Sequence, residues 1–194
     1  IDTESFDAAL KSSLRQAPDV ILIGEIRSQE TMEFALSFAE TGHLCIATLH
    51  ANNANQAIDR IMHLVPKEMH DKLLFDLSLN LRGIVAQQLI PTADGHGRVA
   101  AIEVLLNTPF VADLISKGEI GEIKVVMTKS RELGMQTFDQ ALYDLYQRGT
   151  ISYTDAIHHA DSPNDLRLMI KLRNNEVKGS GFLSGVTLDG MDKD

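Results

Sequence analysis

The spacing of apolar and polar residues predicts alternating strands and helices in the first half of the chain. Residues 20–23 form an unbroken apolar run, typical of a parallel strand that is covered on both faces. Helical spacing begins after Ser28, a residue type that caps helices, and continues to Gly42. A second apolar run lies between His43 and His50. Strand, helix and strand in this order predict a βαβ unit with parallel strands and a right-handed crossover.

Further elements follow from the same two periodicities. A first helix is predicted before Pro18, another from about Ala54 to Leu64, and a third after Pro66. Two apolar runs flank a glycine-containing turn, the first from Ile84 to Ile90 and the second from Arg98 to Leu106. They predict a hairpin, so we expect the sheet to end with an antiparallel pair.

The pattern changes after Asn107, where short helical segments alternate with turn residues. Helix-capping pairs recur in this part, with Thr137 before Gln140 and Ser152 before Asp155. The last 21 residues by this division have no periodicity. We therefore expect an α/β core over residues 1–107, a small all-helical domain over residues 108–173 and a disordered tail over residues 174–194.

Polar side chains follow both of the predicted parallel strands. Glu25 comes just after the first apolar run, and His50 ends the second. Because parallel strands end at the same edge of a sheet, we expect these two side chains to meet there, where α/β proteins gather ligands. A carboxylate at this edge can hold Mg²⁺ directly or through its waters. An ordinary buried strand followed by an acidic turn explains Glu25 equally well.

Composition excludes several classes of protein. An apolar fraction of 44%, a charged fraction of 23% and a net charge of −9 are typical of a soluble globular protein and argue against a nucleic-acid partner. Cys45 is the single cysteine, which leaves no Cys-based metal module. No Gly-Lys pair occurs, so these residues hold no P-loop for nucleotide phosphates. The start at Ile1, without Met or a signal peptide, indicates a piece of a longer cytoplasmic protein.

Several motifs together resemble the PilT/PilU family of type IV pilus retraction ATPases, and the PilU branch most. The resemblance covers nearly all of residues 1–173. It is carried by Asp19 to Arg27, by Ala39-Glu40-Thr41-Gly42-His43, by Thr48-Leu49-His50, by Gln56 to Ile61, by Gly97 to Ala100 and by Leu133 to Thr137. Residues 110–117 depart from the PilT pattern, which puts direct transfer of PilT's behaviour in this segment in doubt.

The resemblance implies a RecA-like ATPase core that lacks its P-loop part, in a hexameric motor that uses ATP and Mg²⁺ to retract pili for twitching motility. By position, Glu25 matches the Walker-B acid, expected to hold Mg²⁺ through water. His43 and His50 match the His box beside the nucleotide, and Arg27 is a further candidate for nucleotide binding. The expected partners are sister subunits, a PilT-type motor and the inner-membrane pilus platform, with the protein peripheral on the cytoplasmic side.

Alternatives remain at each level. The chain is either part of an ATPase, inactive alone for lack of a P-loop, or an interaction module that binds sister subunits or the platform without catalysis. Arg27 and Arg60 are explained as well by surface ion pairs as by contacts to a nucleotide phosphate. His50 is either a sensor of bound nucleotide or a core histidine satisfied by the Asn52-Asn53 turn. We expect no metal cluster, because the histidine spacing does not suit one.

Overall fold

A computed structural model describes residues 8, 9, 12, 16 and 18–172 of the 194-residue chain. Its described elements run in the order β1 (Val20–Ile23), α1 (Gln29–Glu40), β2 (Leu44–Ala47), α2 (Ala54–Met62), α3 (His70–Asn80), β3 (Gly83–Pro91), β4 (Arg98–Leu106), α4 (Pro109–Ser116), α5 (Ile123–Lys129), α6 (Phe138–Gln147) and α7 (Tyr153–His158). Short 3-10 turns lie at Lys67–Met69, Ile120–Glu122 and Arg131–Leu133. Residues 163–172 are also helical.

Most predicted elements are confirmed, and one strand is shorter than predicted. The predicted caps are in place, because Ser28 accepts a hydrogen bond from the Thr31 amide and Ser152 accepts one from Asp155. Gly42 has a φ of +93°, the left-handed conformation that suits glycine after a helix end. The second strand keeps only the centre of the predicted run. The first predicted helix and the tail fall largely or wholly outside the described residues.

The strands β1 and β2 pair in parallel, as predicted, with Val20 opposite Leu44 and Ile23 opposite Ala47. One face of this pair is buried through Ile21 and Ile23, which share a core with α1. The other face is exposed, and it carries four large or medium apolar side chains: Val20, Leu22, Leu44 and Ile46. The prediction that the first strand is covered on both faces is therefore wrong for this structure, since α1 and the core occupy one side only.

The hairpin β3–β4 forms a second sheet of its own. Hydrogen bonds close it at both ends, from the Asn107 amide to the Arg82 carbonyl (3.1 Å) and from the Thr92 amide to the Gly97 carbonyl (3.0 Å). These bonds fix an antiparallel pairing. The hairpin prediction is confirmed, but the expectation that it ends the parallel sheet is wrong, because within the described residues neither strand pair bonds to a strand of the other.

The chain divides into two compact units. The first contains Ile1–Gln88 and Ile102–Thr137, and the second contains Leu89–Ala101 and Phe138–Asp194. In the first unit α1 packs against β2 and α3, while α3 lies along α4. Residues 108–137 thus share the core of the first unit rather than standing apart from it. The domain boundary after residue 107 does not coincide with these units and stays a prediction.

The second unit has its own buried apolar residues. Phe138 and Leu142 of α6 are fully buried, and α6 packs against α7. The Asp139 carboxylate accepts hydrogen bonds from the amides of Asp161 and Ser162, which fixes the loop after α7. Among the described helices, none combines the length and apolar character that crossing a bilayer requires.

Candidate functional site

Glu25 and His50 meet at the carboxyl edge of the parallel strand pair. The register brings Ile23 opposite Ala47, so the residues that follow each strand leave the sheet side by side. Beyond the strands, the Ile26 amide donates to the Thr48 carbonyl at 3.0 Å, and the Thr48 hydroxyl donates to the Gly24 carbonyl. These two bonds prolong the pairing up to the site. The predicted convergence of Glu25 with the second strand's end is confirmed as geometry.

The Glu25 carboxylate has a partner on each oxygen. Oε1 lies 3.0 Å from His50 Nε2, and Oε2 contacts the Arg27 guanidinium. The Glu25 side chain is 16% exposed, whereas those of Arg27 and His50 are 76% exposed. The carboxylate is therefore held at the base of the site, with two nitrogen-bearing side chains reaching outward over it. The alternative of a core histidine is wrong, because the His50 ring is largely in solvent.

Local charges keep Glu25 ionised. The hydrogen bond from Arg27 has the largest effect and lowers the pKa of the Glu25 carboxyl. Burial raises this pKa by less, and the charges of Arg27, His50 and Arg60 each lower it by smaller amounts. The same pair raises the pKa of Arg27. A carboxylate with a depressed pKa is a weak general base, because proton abstraction is favoured by a pKa near the working pH. The site suits orienting water or a cation better than removing a proton.

An open cleft extends the site along α2. It has a volume of about 320 Å³ and is lined by His50, Ala51, Gln56, Asp59, Arg60 and His63. The helix α2 starts at this end, with the Asn53 side chain accepting the Gln56 amide at 2.9 Å. The sequence leaves Arg60 open as a surface ion-pair former or a phosphate contact; in the structure it lines this cleft, and its charge lowers the pKa of Glu25 slightly. The Gln56 and Arg60 positions therefore belong to the surroundings of the site.

The structure does not bring His43 to this edge. His43 precedes β2, so the whole strand separates it from His50, a distance on the order of 13 Å or more at about 3.3 Å per residue. Its Nδ1 lies 3.1 Å from the Phe38 carbonyl and 3.0 Å from the Thr41 hydroxyl. In this chain His43 closes the α1–β2 turn, and its predicted role in binding the nucleotide stays a prediction.

The donor set at Glu25 fits a cation held through water. Carboxylate oxygen is the ligand type that Mg²⁺ takes, and this ion commonly keeps several of its waters. Both Glu25 oxygens already face other side chains, which disfavours direct coordination. In the part of the chain that the structure describes, no group of three or more His, Cys, Asp or Glu residues could hold a metal ion. Cys45 lies in β2, and burial raises its pKa.

Replacing Arg27 with Leu should raise the pKa of Glu25, because the strongest partner of the carboxylate is lost. Arg60→Leu should raise it less, since Arg60 acts through charge alone. A group with a depressed folded-state pKa contributes stability that is present above its unfolded pKa and is lost as the pH falls through the folded pKa. The Glu25 contribution should therefore fade on the acidic side only. Carbon-13 NMR titration of the side-chain carboxyl measures each pKa, and an unchanged Glu25 midpoint in Arg27→Leu contradicts this account.

Comparison with known proteins identifies the family to which this chain belongs. The Type II/IV secretion system protein family matches residues 2–150. A type IV pilus ATPase, PilU of Pseudomonas aeruginosa, is 62% identical over all of this chain and 51% of its own length. The type IV pilus retractation ATPase PilT of the same organism is 40% identical over 84% of this chain and 47% of its own length. The chain thus spans about half the length of these curated relatives.

A solved structure of the pilus retraction motor PilT with bound ADP has the same fold. It matches with a TM-score of 0.77 and 40% identity, over 86% of this chain and 46% of the PilT chain. This likeness confirms the predicted fold class, an α/β chain related to RecA-like ATPases. The chain belongs to the Type II/IV secretion system protein family, and within it to the PilT/PilU group of type IV pilus ATPases.

Proposed function

We propose that the full-length protein carrying this chain is an ATP-driven motor for the retraction of type IV pili. The observation that carries this proposal is the Glu25–His50 pair at the carboxyl ends of two parallel strands. That edge is where nucleotides bind in α/β folds of this kind. The relatives' names add the context, since they include a pilus ATPase and a pilus retractation ATPase.

In this proposal Glu25 is the Walker-B acid. Its lowered pKa keeps it charged at neutral pH, so it can orient water around the nucleotide rather than accept a proton. Mg²⁺ would neutralise charge on the β- and γ-phosphates, and Glu25 would hold it through water. Arg27 keeps the carboxylate ionised and directed, and its exposed guanidinium is a candidate contact for a phosphate oxygen.

His50 is the proposed sensor of the γ-phosphate. Its ring is exposed, and its Nε2 lies within hydrogen-bond distance of the carboxylate. An imidazole in this position can donate to a phosphate oxygen and exchange that bond for the one with Glu25. His43, which lies at the opposite end of β2, is proposed to act in nucleotide binding only indirectly, through the turn that starts the strand.

The assembly belongs to the same proposal. We infer a homo-oligomer, a hexameric ring, that works with a PilT-type partner motor and the inner-membrane pilus platform protein, peripheral to the membrane on the cytoplasmic side. The relatives, which are type IV pilus ATPases, support a pilus setting. A boundary after residue 107, followed by a helical segment over residues 108–173, is kept in this proposal as a division of the sequence, with residues 108–137 packed in the first compact unit.

The chain of 194 residues alone should not hydrolyse ATP and should bind it weakly. The reason is that charge on the β- and γ-phosphates must be met by a backbone cradle and a lysine, and these residues contain no Gly-Lys pair. Isothermal titration with Mg-ATP measures the affinity directly. A dissociation constant below about 1 μM, which corresponds to roughly 8 kcal/mol of binding free energy, would overturn this expectation.

In the full-length protein, Glu25→Gln should abolish turnover while assembly is largely kept. The amide has nearly the shape of the carboxylate but lacks the charge that orients a cation and its waters. Glu33→Gln is a matched control, because Glu33 is an exposed acid on α1. Phosphate release and size-exclusion chromatography give the two readouts. Near-normal turnover in Glu25→Gln would contradict the Walker-B role and leave Glu25 as an ordinary acid in the turn after a buried strand.

Removing the imidazole with His50→Ala should lower turnover by roughly 10²-fold or more, as when one transition-state donor is lost. Nucleotide binding and the melting temperature should change little, because the ring is exposed and supports no core packing. His96→Ala, at the exposed tip of the hairpin, is the control. Turnover and thermal unfolding should be measured on one preparation. A protein of unchanged stability and unchanged turnover would exclude the sensor role.

A further inference from the structure

Glu103 is a buried acid that the sequence pattern does not single out. It lies on β4 between Ala101 and Leu105, on the strand face that is otherwise apolar, and all three residues have no exposed surface. Among the described residues it is the one charged side chain at a buried position. Burying a carboxylate is unfavourable unless charges and hydrogen bonds compensate for the lost water. Its partners should therefore explain why it is there.

The two oxygens of Glu103 hold two different elements. Oε1 accepts a hydrogen bond from the Ala54 amide at 2.7 Å, and Oε2 accepts one from Lys124 Nζ at 2.5 Å. Ala54 is the first residue of α2, where backbone amides lack partners within the helix and the helix dipole favours a negative charge. Lys124 is on α5, and its side chain is 25% exposed. Glu103 therefore joins the start of α2 to α5.

A second tie holds the same end of α2. The Asn55 side chain donates to the Ile120 carbonyl at 3.0 Å, in the 3-10 turn just before α5. On the other side, the Asn52 amide donates to the Gln56 side chain at 3.3 Å, and the Asn53 side chain accepts the Gln56 amide. The segment between His50 and α2 is thus folded onto the first turn of the helix. The position of His50 therefore depends on the position of the first turn of α2.

We propose that Glu103 is a positioning residue for the Glu25–His50 site. By accepting the Ala54 amide it fixes the start of α2, and this places His50 over Glu25. Lys124 supplies the charge that allows a carboxylate to be buried there. The expected effect on ATP turnover rests on the proposed function. The placement of the segment from His50 to Ala54 does not rest on it.

Two double variants separate the hydrogen bond from the ion pair. Glu103→Met with Lys124→Met replaces the pair with apolar side chains of similar length, an exchange that buried ion pairs often tolerate. Glu103→Gln with Lys124→Met leaves the same surroundings but keeps an oxygen that can accept the Ala54 amide. The two proteins differ only at position 103, where Gln offers an acceptor oxygen together with an amide NH2 group and Met offers neither. Lys117→Met, which breaks an exposed Asp113–Lys117 pair of 2.6 Å, is the control for loss of a lysine pair.

The first readout is hydrogen–deuterium exchange at single-residue resolution in the full-length protein. With the Met pair, the amides of Asn52 and Gln56 should exchange faster than with the Gln and Met pair, because the first turn of α2 is released. Faster exchange at Ala54 alone would overturn the proposal, since the effect would not reach the His50 segment. Equal exchange of Asn52 and Gln56 in both double variants would overturn it too.

The second readout is ATP turnover on the same proteins. The Met pair should lower kcat by about 10²-fold, the order expected for a misplaced catalytic group, with KM nearly unchanged. The Gln and Met pair should restore most of kcat, and Lys117→Met should match the unmodified protein. Equal loss of kcat in both double variants would show a merely structural role. If the unmodified protein has no turnover, the proposed function fails, and the exchange readout still decides the placement.

Discussion

The parallel register between β1 and β2 is the constraint on which the site depends. Side chains alternate between the two faces of a sheet, so a slip of one residue would move Ile21 and Ile23 from the core to the opposite face. The same slip would shift His50 by about 3.3 Å along the sheet relative to Glu25. Burial of the two isoleucines therefore also selects the pairing that brings the carboxylate and the imidazole together.

The strand β1 has apolar side chains on both faces, although only one face is buried in this structure. Val20 and Leu22, paired with Leu44 and Ile46, leave a continuous apolar strip exposed. Covering such side chains contributes roughly 1.5–3 kcal/mol each. An unbroken apolar run is typical of parallel strands with both faces buried. The sequence is thus that of a two-sided sheet, and the chain spans about half the length of its curated relatives.

Local patterns sufficed to predict the elements and the meeting of Glu25 with His50, because strand ends, helix caps and apolar periodicity are short-range signals. They could not predict Glu103. Its partners Ala54 and Lys124 are 49 and 21 residues away, and an acid on an alternating strand is ordinarily assigned to the solvent face. The sequence also did not predict that the hairpin forms a sheet of its own, because strand order depends on long-range packing.

The two acids differ in how the protein pairs them. Glu25 meets an exposed arginine and an exposed histidine, so either partner can leave it for a ligand without leaving a deeply buried charge. Glu103 is fully buried, and losing Lys124 would leave its carboxylate away from water without the opposite charge beside it, which is strongly unfavourable. The exchangeable partners of Glu25 suit a residue that binds a ligand. The obligatory partners of Glu103 suit a residue that positions a neighbouring segment. Both act on the short segment from His50 to Ala54, so polar contacts hold this segment at each end, and Ala54 also packs in the apolar core.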